Sequence, residues 1–85
     1  MPERDADTPV YVISVAARLV GLPSWTLRAL DAEGVVVPRR TSKNRRLYSQ
    51  NDIVKLEYVR YLTEERGVNV AGVKVILELK ELEPV

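Results

Sequence analysis

The chain has 85 residues, a formal net charge of +1, 46% hydrophobic and 29% charged residues, and neither histidine nor cysteine. That length suits one domain, since so short a chain cannot enclose two cores. The composition excludes a disulfide framework, a thiolate metal site and a histidine acid–base centre. No apolar run approaches the roughly 20 residues that a bilayer span needs, and the acidic, polar N-terminus lacks the basic-then-apolar pattern of a signal peptide. A cytoplasmic protein with no membrane contact is therefore expected.

Residues 1–9 contain Glu3, Asp5 and Asp7 and predict a disordered acidic lead; the folded domain is expected over 10–82, with a tail at 83–85. Val10–Ile13 reads as a short extended stretch. Ser14 suits the N-cap of a first helix, its hydroxyl accepting from first-turn amides, and that helix should stop at Gly21. Pro23-Ser24 then opens a second helix that carries Leu27 and Leu30 and ends at Gly34.

Two helices separated by two or three residues must cross steeply, which demands a small residue at the crossing and a glycine where the turn needs positive φ. Ala17 and Gly21 fill those places, with Ala16, Val20, Leu22, Leu27 and Leu30 facing inward. This is the residue pattern of a helix-turn-helix. At 100° per residue, Trp25, Arg28, Ala29 and Ala32 point outward from the second helix. A Trp exposed beside an Arg needs a cover. Duplex DNA provides one, with Trp25 against sugar or base edges and Arg28 on a phosphate or guanine. The other reading folds Trp25 back as a core anchor. Ser24 and Thr26, at the positive end of the helix, suit phosphate oxygens or, for Ser24 equally, plain capping.

The charge is segregated. Arg39, Arg40, Lys43, Arg45 and Arg46 occur within eight residues that hold no acid, enough for a strong local positive field. Val35–Val37, a polar turn centred on Ser42-Lys43-Asn44 and Leu47-Tyr48 read as a β-hairpin. With no glycine at its tip, Asn44 is the candidate for a left-handed residue, and the hairpin is expected to be loose. It follows the second helix directly and so forms a basic wing beside it. Tyr48, at its base, suits either a phosphate contact or core packing. If five to seven phosphates are neutralised, log affinity should fall against log salt with a slope of roughly −4.5 to −6.

Ser49 with Asp52 three residues on forms a capping-box signal for a third helix, in which Ile53, Leu56, Val59 and Leu62 recur at helical spacing up to Gly67. Asn69 caps a fourth, with Val70, Val73, Ile76 and Leu77 as its apolar stripe and Glu83-Pro84 as its end. Glu57, Glu64 and Glu65 read as helix-surface acids. No pocket constellation or phosphate-cradling glycine loop accompanies them, so no enzyme, catalytic residue, cofactor or metal is expected. The fold class is mainly α: a winged helix-turn-helix with a small β-hairpin and two further helices.

Over about Val10–Leu79 this order resembles the DNA-binding domain of the MerR family of bacterial transcription regulators. The residues that carry the resemblance are Ile13-Ser14-Val15-Ala16-Ala17, Thr26-Leu27-Arg28, Glu33-Gly34-Val35-Val36, Arg46-Leu47-Tyr48-Ser49 and Asp52-Ile53. Tyr11-Val12-Ile13-Ser14, Leu27-Arg28 with Asp31, and Gly67–Lys74 resemble its heat-shock-repressor (HspR-like) branch. The resemblance implies homodimers on inverted-repeat operators in double-stranded DNA, with the second helix in the major groove. It gives Arg28, Arg46 and Tyr48 DNA-contact roles. The HspR-like branch implies repression of chaperone genes, with the chaperone DnaK as corepressor. No small-molecule effector is expected, and metal sensing, which uses cysteines in this family, is excluded. Members commonly carry an aromatic residue where Leu30 stands and continue into a long dimerisation helix. Two other readings differ in class. One is an architectural, excisionase-like protein that bends DNA. The other is a protein-interaction module that uses the Val73, Ile76 and Leu77 stripe.

Overall fold

The computed structural model describes residues 5–82, so Glu3, the tail at 83–85 and the Glu83-Pro84 helix end lie outside it. The element order is β1 (Pro9–Val12), α1 (Ile13–Val20), α2 (Ser24–Ala32), β2 (Arg39–Arg40), β3 (Arg46–Ser49), α3 (Gln50–Arg60), a π-helical turn (Tyr61–Glu65) and α4 (Val70–Leu82).

The helix-turn-helix forms as the spacing predicts. Ala16, Ala17 and Val20 of α1, Leu22 of the turn, and Leu27 and Leu30 of α2 are all buried in one cluster. Gly21 ends α1 at φ 75° with its N–H on the Ala17 carbonyl, a left-handed conformation that costs any residue with a Cβ about 1–2 kcal/mol. After α2, the Gly34 N–H reaches the Asp31 carbonyl at 3.0 Å and the Val35 N–H reaches that of Leu30 at 2.8 Å. This paired closure is the Schellman arrangement, with glycine at the left-handed position. It turns the chain back over the end of α2.

The start of α1 differs from the expectation. Ile13 is already helical, extended Val12 occupies the cap position, and no side chain bonds the first-turn amides. Ser14 therefore sits within the first turn and caps nothing. Leu30 is a core position with 0% exposure and contacts no outside surface.

The sheet has three antiparallel strands in the order β1-β3-β2. β3 is central, pairing Tyr48 with Tyr11 and Leu47 with Val12 on one side, and Leu47 with Arg39 and Arg46 with Arg40 on the other. The valine run is not the first wing strand. Val36 and Pro38 are buried while Val37 is exposed, and pairing begins only after Pro38, which has no N–H to offer a ladder. Residues 5–9, assigned to the lead, make bonds of their own and to α3. The Thr8 N–H donates to the Asp5 carbonyl, the Asn51 N–H to that of Ala6, and the Asn51 amide to Asp7. Pro9 already belongs to β1.

Ser49 ends β3 and caps α3. Its hydroxyl accepts from the Asp52 N–H at 3.1 Å, and the Asp52 carboxylate accepts from the Ser49 N–H at 2.9 Å, the reciprocal capping box that the sequence predicts. Ile53, Leu56, Val59 and Leu62 are buried. The sequence gives no sign that the last turn of this helix widens to a π turn at Tyr61–Glu65. Asn69 caps α4 by accepting from the Gly72 N–H at 2.8 Å. Val73 is fully buried and Ile76 and Leu77 pack against the core, so the stripe assigned to a partner helix in the interaction-module reading is occupied within the fold.

Candidate nucleic-acid interface

Helix α2 has two unlike faces because its apolar residues recur at helical spacing. Leu27 and Leu30 are at 0% exposure, while Trp25 stands 70% exposed near the N-terminus with exposed Arg28 on the next turn. The core-anchor alternative for Trp25 is thus not adopted. Ser24 and Thr26 lie in the first turn, half-buried. Neither caps α2, whose cap position is Pro23 with no side-chain bond. The first-turn amides of α2 and the outward Trp25 and Arg28 form one end of the candidate surface.

The wing forms the other end, and it is better ordered than its sequence suggests. Asn44 takes the left-handed conformation at φ 63°. Thr41 organises the tip: its hydroxyl accepts from the N–H groups of Lys43 and Arg45, each at 3.2 Å, and its own N–H donates to the Arg45 carbonyl at 2.9 Å. A threonine opening a turn supplies this kind of local bond. The sequence offered that signal at Thr41, but attention to glycine and asparagine passes over it.

The five wing cations divide into two sets. Arg39, Lys43 and Arg45 are exposed and in no salt bridge among the described residues. Arg40 and Arg46 both bind Asp31 in the last turn of α2. The Arg40 guanidinium lies 2.9 Å and the Arg46 Nε 2.8 Å from the same carboxylate oxygen, Oδ2. Arg40 also reaches the side chain and carbonyl of Asn44 at 3.3 and 3.4 Å. The side chains of Asp31, Arg46 and Arg40 are 10%, 23% and 39% exposed. Arg46, expected on a phosphate, is in this structure a half-buried partner of α2, and Arg40 is engaged likewise.

Tyr48 is the clearest correction. It is at 0% exposure within the core, and its hydroxyl is buried with no hydrogen-bond partner among the described residues. Its phenol is pushed up to about 12, first by burial and then by the negative charge of Asp31. A side chain so enclosed does not present itself to a phosphate. Central β3 is covered on both edges, and its Tyr48 is used to fill the core.

Asp31 is the residue that motif reading misses as a structural centre, although it stands in the heat-shock-repressor resemblance. One signal was available. A carboxylate in the last turn of a helix opposes the helix dipole, and α2 has no basic residue of its own there. Compensating cations must come from elsewhere, and the nearest are in the wing.

Two helices joined by a three-residue turn, an outward Trp and Arg on the second, and a basic β-hairpin tied to that helix define a winged helix-turn-helix. Residues 11–80 match the family described as MerR HTH family regulatory protein. The chain belongs to that family. It is 51% identical over 78 residues to HspR, a protein of Streptomyces coelicolor named for heat shock, an alignment covering 92% of this chain and 52% of that protein. It is 36% identical over 81 residues to the HTH-type transcriptional regulator GlnR of Bacillus anthracis, covering 95% and 62%. To the HTH-type transcriptional repressor CarH of Myxococcus xanthus it is 33% identical over 72 residues, covering 84% and 24%. The chain thus spans between about a quarter and three-fifths of the length of these relatives. No helix among the described residues is long and apolar enough to cross a membrane.

Proposed function

We propose that this chain binds double-stranded DNA as a sequence-specific transcription regulator and represses heat-shock genes. It acts as a homodimer on an inverted repeat. Helix α2 enters the major groove, with Trp25 and Arg28 against base edges and sugar and with Ser24 and Thr26 at phosphates. Arg39, Lys43 and Arg45 of the wing engage the flanking backbone. The observation that carries this reading is the pairing of an exposed Trp25–Arg28 face on α2 with three uncommitted wing cations on a hairpin fastened to that same helix. The 51% identity to the HspR protein, together with the Gly67–Lys74 segment, supports the heat-shock assignment. DnaK as corepressor is part of the same proposal.

Selection from a random duplex pool at moderate salt tests it. An enriched inverted repeat is expected, and its affinity should rise on addition of DnaK. Binding without enrichment would instead favour an architectural DNA-bending role, and no binding would refute the proposal. The structure also revises the electrostatics. With Arg39, Lys43 and Arg45 as the free cations on the backbone, the salt slope should be about −2.7 per protomer, shallower than five to seven contacts would give.

A further inference from the structure

Two arginines converge on one oxygen of Asp31, although three other wing cations are in no salt bridge among the described residues. Arg40 comes from β2 and Arg46 from β3, and the two residues face each other across the hairpin. A single carboxylate on α2 therefore grips both strands of the wing at one rung. Asp31 is only 10% exposed. A carboxylate so far out of water is tolerated because two guanidinium groups satisfy it, and those groups are in turn drawn away from solvent. The backbone carbonyl of Asp31 accepts the Gly34 N–H that starts the return of the chain. One residue thus sets both where α2 ends and where the wing lies against it.

We propose that Asp31 is a specificity-determining positioning residue. It fixes the wing relative to α2, so that base contacts by the helix and phosphate contacts by the hairpin are made in one register. It also withholds Arg40 and Arg46 from phosphates, which lowers the affinity for DNA of any sequence. This rests on the DNA-binding reading above. Sequence-independent affinity grows with every cation free to displace a counterion, by about 0.9 in the salt slope per contact, whereas discrimination depends on geometry at base edges. An acid at this joint trades the first for the second.

The test compares a 30-base-pair duplex enriched by the wild-type chain with a mixed-sequence duplex of equal length. Asp31→Asn keeps the shape and removes the charge. It is expected to bind the mixed duplex several-fold more tightly, to steepen the salt slope by about 1–2, and to lower the ratio of enriched to mixed affinity at least tenfold. Asp31→Glu should recover most of that ratio. Without DNA, amide order parameters over Thr41–Arg45 should fall in Asp31→Asn.

A second comparison does not depend on Asp31→Asn folding. Arg39→Gln should flatten the slope on the mixed duplex by about 0.9, and Arg40→Gln by less than half as much. Equal flattening by both variants overturns the inference. So does an Asp31→Asn protein that weakens on both duplexes alike with its slope unaltered, which is what a merely structural role gives. Discrimination that survives in Asp31→Asn overturns this inference alone. A wild-type chain that binds neither duplex removes the DNA-binding reading, and this inference with it.

Discussion

In the helix-turn-helix every joint is apolar. Leu27 and Leu30 lie against Ala16, Ala17 and Val20 with almost no exposure, and no salt bridge links α1 to α2 among the described residues. In the wing, a few residues along the chain, the joints are polar. Thr41 holds the tip and the Asp31 carboxylate holds the hairpin to α2. The first region is stabilised by removing apolar surface from water, a term that ionic strength hardly touches. The second depends on charge and directed bonds, which salt and small shifts in geometry weaken. A rigid scaffold thus carries a hairpin whose position is set by a charge.

The largest expected effect breaks the first region. Leu27→Ala should lower stability by about 2–5 kcal/mol, because it removes a fully buried side chain and leaves a cavity. Thermal melting at low and high salt should show the same loss at both. A loss that shrinks with salt would mean that the two regions are not separately held.

A smaller effect probes their junction at Tyr48. Its phenol ionises at about 12 in the fold, against 10 in an unfolded chain, so the folded state favours the neutral form. The associated stability is complete below pH 10 and drains away as the pH climbs from 10 to 12, by about 2–3 kcal/mol in all. Denaturant melts across that range should show the decline in the wild type and its flattening in Tyr48→Phe. At neutral pH the Phe variant should match the wild type or exceed it by about 1 kcal/mol, since the hydroxyl it loses is buried without a partner. Its DNA affinity should be unaltered. A large loss of affinity would return Tyr48 to the contact surface.

The smallest effect on stability belongs to Trp25. Trp25→Ala should shift the unfolding free energy by no more than about 0.5 kcal/mol, because the side chain is mostly in water. The same variant should lose much of its DNA binding. A marked drop in melting temperature would place Trp25 in the scaffold.

This division also marks how much could be read from the sequence. Apolar periodicity on a helix reports its own inward face, and Ala16, Ala17, Val20, Leu22, Leu27 and Leu30 are where it puts them. Local bonds are nearly as legible: the Ser49–Asp52 box, the Asn69 cap and the left-handed Asn44 each follow from residues within four positions of one another. The failures are of two kinds. Short strands carry too few residues for alternation to decide a face, so the sequence left Tyr48 open between phosphate and core, and it put the wing strand at the valine run rather than at Arg39–Arg40. Pairings between distant positions leave no periodic trace. The junction of β1 with β3 and the grip of Asp31 on Arg40 and Arg46 come from the fold itself. For the candidate interface, the α2 face was legible, whereas the division of the wing cations into free and engaged was not.

The central place of β3 has a consequence for how the protein is made. β1 contains Pro9, and the residue it faces, Ser49, leaves the ribosome some forty residues later. The helix-turn-helix can collapse soon after its second helix emerges, but its first strand must wait, unpaired, until the wing has been synthesised. In the finished fold β3 lies between β1 and β2, and its last residue, Ser49, caps α3. Closure of the sheet is therefore the step that joins the two halves of the polypeptide, and slow translation before residue 49 would lengthen the time for which β1 has an open edge.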